Sequence, residues 1–448
     1  MSLSVQKSTQ FKVNELTIVT KAGPIDITKI YEELNIFDSI LMPVISGNIL
    51  VRDSAGLSGK LLFDGSESLL IDIVKDEKNP DIANFHKSFR IYKQANRRNE
   101  GLNSESFTLH FVADELIFSD QQKINQSYQG TYAKVVGKIL TDYLKVSENN
   151  LGGFYEETVG VRDIVIPNLK PLDAIDWCAK RSVDKKQSPN YMFFQNLTGF
   201  NFVSLSKLLT QEDLLNVKFE PKNQSKASGG NPLSEISSAR ALEVVAQTDM
   251  IEKTRSGVNA GQFIGFDPLT RTTAKKQIGF GDVYAGMDHA NDNANQSVIV
   301  NRAGVSSTEA YDSKKTMANF DAAKQLSNYI KKVEPTLASK LDNIENWLFQ
   351  RKAIINNLMG KRIKLVMPGN FQLTSGFNIN LEAPNFGKKE KGGDNDDPSI
   401  SGKYIIVGSR QIIGYDKHET IIEVATTSTN NDFIPVSDAR QNQEILEY

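Results

Sequence analysis

Ser106-Phe-Thr-Leu-His-Phe111 alternates without a break, with Phe107, Leu109 and Phe111 on one side and Ser106, Thr108 and His110 on the other. A period of two with one apolar side marks a half-buried antiparallel strand. Residues 11–118 around it read the same way. Leu16 and Ile18, then Ile25, Ile27 and Ile30, are spaced at two or three among polar residues. Leu69, Ile71 and Ile73 share one strand face, and Ile49 and Val51 lead into the turn Asp53-Ser-Ala-Gly56. Residues 1–118 are therefore expected to form a β domain.

The alternation returns near the other end. Ile363, Leu365 and Met367 alternate up to Pro368-Gly369-Asn370, and Phe377, Ile379 and Leu381 follow. After a charged loop, Gly387 to Pro398, come Tyr404-Ile-Ile-Val407 and Thr420-Ile-Ile-Glu-Val424. The span between is mixed. In residues 119–220, Tyr132, Val135, Val136, Ile139, Leu140 and Tyr143 recur at helical spacing. Pro171 opens a second helix, where its missing N–H costs nothing, with Leu172, Ile175, Cys178 and Ala179 as its stripe. A hairpin is expected over Tyr191–Val203. Residues 221–235 read as a linker, 236–285 as strands with glycine-rich turns, and 286–311 as polar and irregular.

Residues 313–359 read as two helices separated near Pro335. In the second, Leu337, Leu341, Ile344, Leu348, Ile355 and Leu358 fall on a heptad spacing in which Arg351 occupies one slot. That spacing fits a self-association seam. Trp347 and Ile354 widen the stripe, which fits packing against the chain's own domains. Residues 431–448 are polar and read as a C-terminal tail.

The 448 residues, 39% hydrophobic and 24% charged, suit a globular protein of about three domains. A net charge of −2 gives no basic field to retain nucleic acid. The single cysteine, Cys178, forbids an intrachain disulfide and is expected to be a small buried side chain. No signal peptide is expected at the N-terminus, and no apolar run approaches the ~18–20 residues of a membrane span.

The search for chemistry yields no candidate catalytic, cofactor-binding or metal-ligating residue. His86, His110, His289 and His418 are far apart in sequence, and His110 sits on the polar side of its strand. One cysteine and no histidine cluster argue against zinc. No Gly-x-Ser-x-Gly elbow or phosphate loop occurs, and Gly279-Phe-Gly281 breaks the dinucleotide pattern at Tyr284. Asp394-Asn-Asp-Asp397 opens like a calcium loop but lacks its glycine and glutamate.

Two stretches resemble a known family. Ile30-Tyr-Glu-Glu-Leu-Asn-Ile-Phe-Asp-Ser through Arg52-Asp-Ser-Ala-Gly-Leu57, with Phe63-Asp-Gly-Ser-Glu67, resembles the opening of baseplate hub proteins of contractile-tailed phages. Met367-Pro-Gly-Asn370 with Ser375-Gly-Phe-Asn-Ile379 and Ser401-Gly-Lys-Tyr-Ile-Ile-Val407 is similar to the second tube-like barrel of those hubs and of type VI secretion spike proteins. Leu169–Arg181, Tyr191–Phe194 with Gly199–Phe202, and Gly261–Pro268 look like the parts between.

The resemblance implies an α+β, β-rich fold with two tail-tube-like antiparallel β-barrels, an intervening α/β module and a helical insertion. The domains would be 1–118, the first barrel; 119–220, the connecting module; 236–285 plus 361–430, the second barrel; and 286–360, the insertion. It also implies a non-enzymatic homotrimeric ring in the virion baseplate, assembled in the host cytoplasm. Tail-tube or tube-initiator proteins would lie above, the central spike below, and wedge and tape-measure proteins nearby, with DNA passing through the lumen without specific binding. The competing readings are a spike component of a type VI-like injection system, a tail-associated cell-wall-degrading enzyme, and a peripheral receptor-binding protein.

Overall fold

The computed structural model describes residues 11–54, 56, 64–75, 84–101, 104–147, 151–219, 237–247, 249–267, 271–294, 304, 306–319, 344–384 and 396–430. The linker at 221–235, the tail at 431–448 and most of the loop at 387–398 lie outside them. The fold is α+β and β-rich, as the alternating patterns indicated.

The first barrel is built from β1 (Lys12–Thr20), β2 (Gly23–Asp26), β3 (Tyr31–Ser39), β4 (Ser46–Asp53), β5 (Ser68–Val74), β6 (Phe85–Gly101) and β7 (Ser104–Val112). Its order is β3-β4-β7-β6-β5-β1-β2, and β2 runs on into β3 after four residues, which closes the ring. Phe107, Leu109 and Phe111 point inward with Leu16, Ile18, Leu69, Ile71 and Ile73.

A short helix α1 (Asp114–Asp120) leads into β8 (Ile124–Gly130), α2 (Tyr132–Asp142), β9 (Leu151–Tyr155), β10 (Arg162–Leu169), α3 (Pro171–Arg181), β11 (Tyr191–Asn196), β12 (Gly199–Ser204) and α4 (Leu205–Thr210). The Thr131 hydroxyl caps α2 by accepting from the Lys134 N–H at 3.3 Å, and Pro171 starts α3. Val135, Val136 and Ile139 of α2 and Ile175 and Cys178 of α3 are buried with the first barrel's residues in one continuous core.

The second barrel takes β13 (Asp213–Phe219), β14 (Ser238–Ala239) and β15 (Ala241–Ala246). Helix α5 (Met250–Ser256), β16 (Ala260–Asp267), β17 (Thr272–Gly279), α6 (Phe280–Ala285), β18 (Asn293–Ala294), β19 (Lys315–Asn319) and α7 (Ile344–Leu358) intervene. The barrel is completed by β20 (Arg362–Pro368), β21 (Asn378–Glu382), β22 (Gly402–Gly414) and β23 (His418–Ala425), after which β24 (Ser428–Thr429) pairs with β18. Its ring runs β13-β21-β22-β23-β20-β15, and β14, one residue ahead of β15, returns to β13. Leu215, Val217, Leu365, Ile379, Leu381, Tyr404, Ile406, Ile422 and Val424 fill it.

Three placements differ from the sequence expectations. β13 falls in the stretch assigned to the connecting module but is paired into the second barrel. β16 and β17, expected in that barrel, form a separate sheet with β19. Residues 315–319, expected to be helical, are strand β19, parallel to β16. Alternation of two marks a strand but does not say which sheet receives it.

The two barrels repeat one plan. Arg90 lies opposite Val112 in the β6·β7 ladder, and Ile405 lies opposite Ala425 in β22·β23. One pair further on, both ladders carry a bulge, between Ile91 and Lys93 and between Ile406 and Gly408. The flanking ladders match too: Ser46 opposite Val112 with Arg362 opposite Ala425, and Phe37 opposite Ser46 with Ala246 opposite Arg362.

Gly47 tests the packing of the first barrel. A Cβ there would collide with the Phe111 ring and the Asn35 carbonyl, and backbone cannot retreat as a flexible side chain can. Gly47→Ala is expected to destabilise by about 1–3 kcal/mol, the usual cost of overpacking, measured as a lower denaturant midpoint; an unchanged midpoint would refute this packing.

Candidate functional site

The barrels are joined edge to edge. β3 and β22 pair antiparallel from Glu33 opposite Gly414 to Ser39 opposite Gly408, so both barrels belong to one continuous sheet. The ladder continues past β3, where the Ile40 N–H donates to the Val407 carbonyl at 2.9 Å.

Asp38 sits in the middle of this joint. It shares strand parity with Leu34, Ile36 and Ile40, and all four are buried. Its carboxylate accepts from the Ser409 N–H at 3.1 Å and the Ser409 hydroxyl at 2.7 Å, both on β22. It also accepts from the Ser375 N–H at 3.3 Å and from the Thr374 hydroxyl, in the connection between β20 and β21. One buried acid from the first barrel thus ties down two segments of the second. Burial pushes its pKa up to about 6, against the pull of those hydrogen bonds. At the ladder's rim the Arg410 guanidinium donates to Asn35 Oδ1 at 2.9 Å and to Glu33 at 3.4 Å.

A second polar cluster lies where Met367-Pro-Gly-Asn370 meets β23. His418 Nε2 and Thr420 Oγ1 both meet Gln411 Oε1, at 2.9 and 2.7 Å, and Gln411 Nε2 donates to the Leu373 carbonyl at 3.1 Å. Lys75, at the end of β5 in the first barrel, donates to the Gly369 carbonyl. Burial, with Lys75 nearby, holds the His418 pKa well below its ordinary value, and burial lowers Lys75 to about 8. Phe371 packs on His418 and on Phe85 of the first barrel, with ring centroids 4.6 and 5.6 Å apart. The motif acts as a second clamp between the barrels.

The other sequence candidates are scattered. His86 is exposed and lies 3.7 Å from Asp72. His110 is on the outer side of β7, and His289 stacks on Tyr284 and contacts Thr427 Oγ1 at 2.8 Å. Cys178 is fully buried, and its thiol is pushed up to about 12. Among the described residues no three His, Cys, Asp or Glu side chains are placed to share a metal ion.

Of the heptad residues, Leu337 and Leu341 lie outside the described residues and Ile344 begins α7. Leu358 is fully buried in the chain's own core beside Ile354, while Leu348 and Ile355 are half-buried. Arg351 is buried, and its guanidinium donates to the Tyr191 carbonyl at 2.6 Å. A cleft of about 330 Å³ lies beside α7, lined by Arg162, Arg181, Lys186, Lys276, Asp282 and Trp347 among others.

No protein-family model and no curated protein matches the sequence. Solved structures do match. A tail protein from Neisseria meningitidis MC58 aligns over 92% of this chain and 96% of its own, with a TM-score of 0.51 and 11% identity. The 43 kDa tail protein of prophage MuSo2 from Shewanella oneidensis aligns over 92% and 97%, with a TM-score of 0.50 and 8% identity. The chain has the fold of these tail proteins. At such identity the shared property is the fold, and it spans nearly the whole length of each protein.

The joint of this tail-protein fold titrates. Asp38 holds its proton more tightly in the folded than in the unfolded chain. Its contribution to stability is therefore full below about pH 4 and is lost as the pH rises through about 6. Asp38→Asn is expected to remove that slope, at most about 3 kcal/mol, in chemical denaturation from pH 4 to 7. An identical slope in the variant would contradict the assignment.

Proposed function

We propose that this chain is the central hub of a contractile phage-tail baseplate. The observation that carries this reading is the joint itself: two barrels of one strand order, fused edge to edge in one chain. Repeating such a joint makes a ring with two barrels per copy. Three copies give six barrels, which match a sixfold tube on one face while the chain remains threefold toward a spike on the other. The tail-protein fold supports this reading, because those proteins share it over almost their full length.

In this role the chain works mechanically and turns over no substrate. The tail tube or its initiator proteins stack above, the central spike plugs the ring below, and wedge and tape-measure proteins pack around it. DNA leaves through the lumen, and a net charge of −2 gives the ring little to hold it with. In this reading the first barrel and the second, with β13 added to it, form the ring, and the connecting module and α7 brace it. The protein resides in the virion tail after assembly in the host cytoplasm. Among the described residues no helix is long and apolar enough to cross a membrane.

Native mass spectrometry of the full-length chain is expected to show a species of three chain masses, and the same protein is expected to release nothing from purified peptidoglycan. A monomer at every concentration would refute the hub. Peptidoglycan cleavage would favour a tail-associated hydrolase.

A further inference from the structure

The repeated plan assigns a partner to each open edge. In the second barrel, the far half of β22 lies on β3. The matching half of β6, beyond Arg90, has β7 as its one strand partner among the described residues. In the first barrel, the outer edge of β3 receives β22. The matching edge of β15 receives no strand among the described residues, since β15 pairs with β20 alone. Each chain therefore holds one finished joint and the two unlike halves of another.

Burial agrees with this. Val407 follows the matched residue Ile406 and is 3% exposed beneath the joint, whereas Tyr92, in the same place after Ile91, is 53% exposed. Val244 and Val245 on β15 are 38% and 44% exposed. These apolar side chains stand where the finished joint covers its own. The far half of β6 is basic on balance, with Lys93, Arg97, Arg98 and Glu100, of which Arg97 and Glu100 pair within the chain with Glu105 and Arg52; the one charged residue of β15 is the acid Glu243, which also meets Lys364 at 3.5 Å.

We propose that the far half of β6 pairs antiparallel with β15 of a second copy of this chain, repeating the β3·β22 joint between chains. The proposal rests on the hub reading and adds to it the strands and their register. Arg410 lies opposite Phe37 in the finished joint. Ala95 holds the place of Arg410, because they face Thr108 and Ile421 at matching positions of their hairpins. Ala246 holds the place of Phe37, because they face Arg362 and Ser46. Ala95 of one copy should therefore lie opposite Ala246 of the next. The contact is head-to-tail, and a turn of about sixty degrees from barrel to barrel closes it after three copies, leaving the outer edge of neither barrel free.

Oxidation of full-length A95C/A246C tests the register. The double variant is expected to give covalent dimers and trimers on a non-reducing gel, and neither single variant should give trimers. Buried Cys178 is common to all three and serves as the internal control. A short bis-maleimide provides a second readout if the sulfur geometry is poor for a disulfide. If native mass shows a trimer but neither reagent joins 95 to 246, the ladder is wrong and the hub reading stands. If every preparation is monomeric, both fall.

Discussion

A sheet edge presents a row of unpaired N–H and C=O groups, and two barrels placed side by side must pair those groups or leave them wet. Here β22 closes that edge against β3, and the closure removes the boundary between the barrels. Most of the molecule's other features follow from this ladder. Asp38 can be buried because the ladder aims Ser409 at it and the Thr374–Ser375 turn covers it. The Met367–Asn370 motif receives Lys75 of the first barrel at its Gly369 carbonyl. The connecting module packs behind the joint, where Gln195 accepts the Ile45 N–H at 3.0 Å.

The barrels differ in one informative respect. β1 and β13 occupy the same slot, between β5 and β2 in one barrel and between β21 and β14 in the other, but they run in opposite directions. The connections account for this. Two residues join β1 to β2, which allows only an antiparallel hairpin, whereas residues 220–237 separate β13 from β14, long enough for a parallel return. The slot selects for an alternating strand, and loop length selects its direction. Both barrels close on a short strand that bends into a longer one, β2 into β3 and β14 into β15.

Much of the fold was legible in the sequence. Strict alternation at Phe107–Phe111 and Ile363–Met367 marked strands, and helical spacing from Tyr132, with Pro171 as a helix start, marked α2 and α3. Membership in a sheet was not legible, as β13 and β16 show, because pairing is set by contacts far apart in sequence. The repeat was also hidden: the ladders share their register around the matched pairs and the bulge after Ile91 and Ile406, while further bulges at Ala95/Arg98 and Val244/Ala246 and the side chains at matched positions, such as Tyr92 and Val407, differ. The key acid did leave a signal. Leu34, Ile36, Asp38 and Ile40 share one parity, and a carboxylate in an apolar row implies buried donors. What the sequence could not supply was the donors, since Ser409 and Thr374 come from more than three hundred residues away.

The central claim is that one joint, used once within the chain, is used again between chains. The most direct measurement is a threefold-averaged electron cryo-microscopy map of the tail axis at a resolution that separates strands. The account predicts six barrels in one ring, with β22·β3 and β6·β15 alternating as equivalent seams at every sixty degrees. A ring whose inter-chain contacts run through the helices or loops, with β6 and β15 left at its surface, would contradict it.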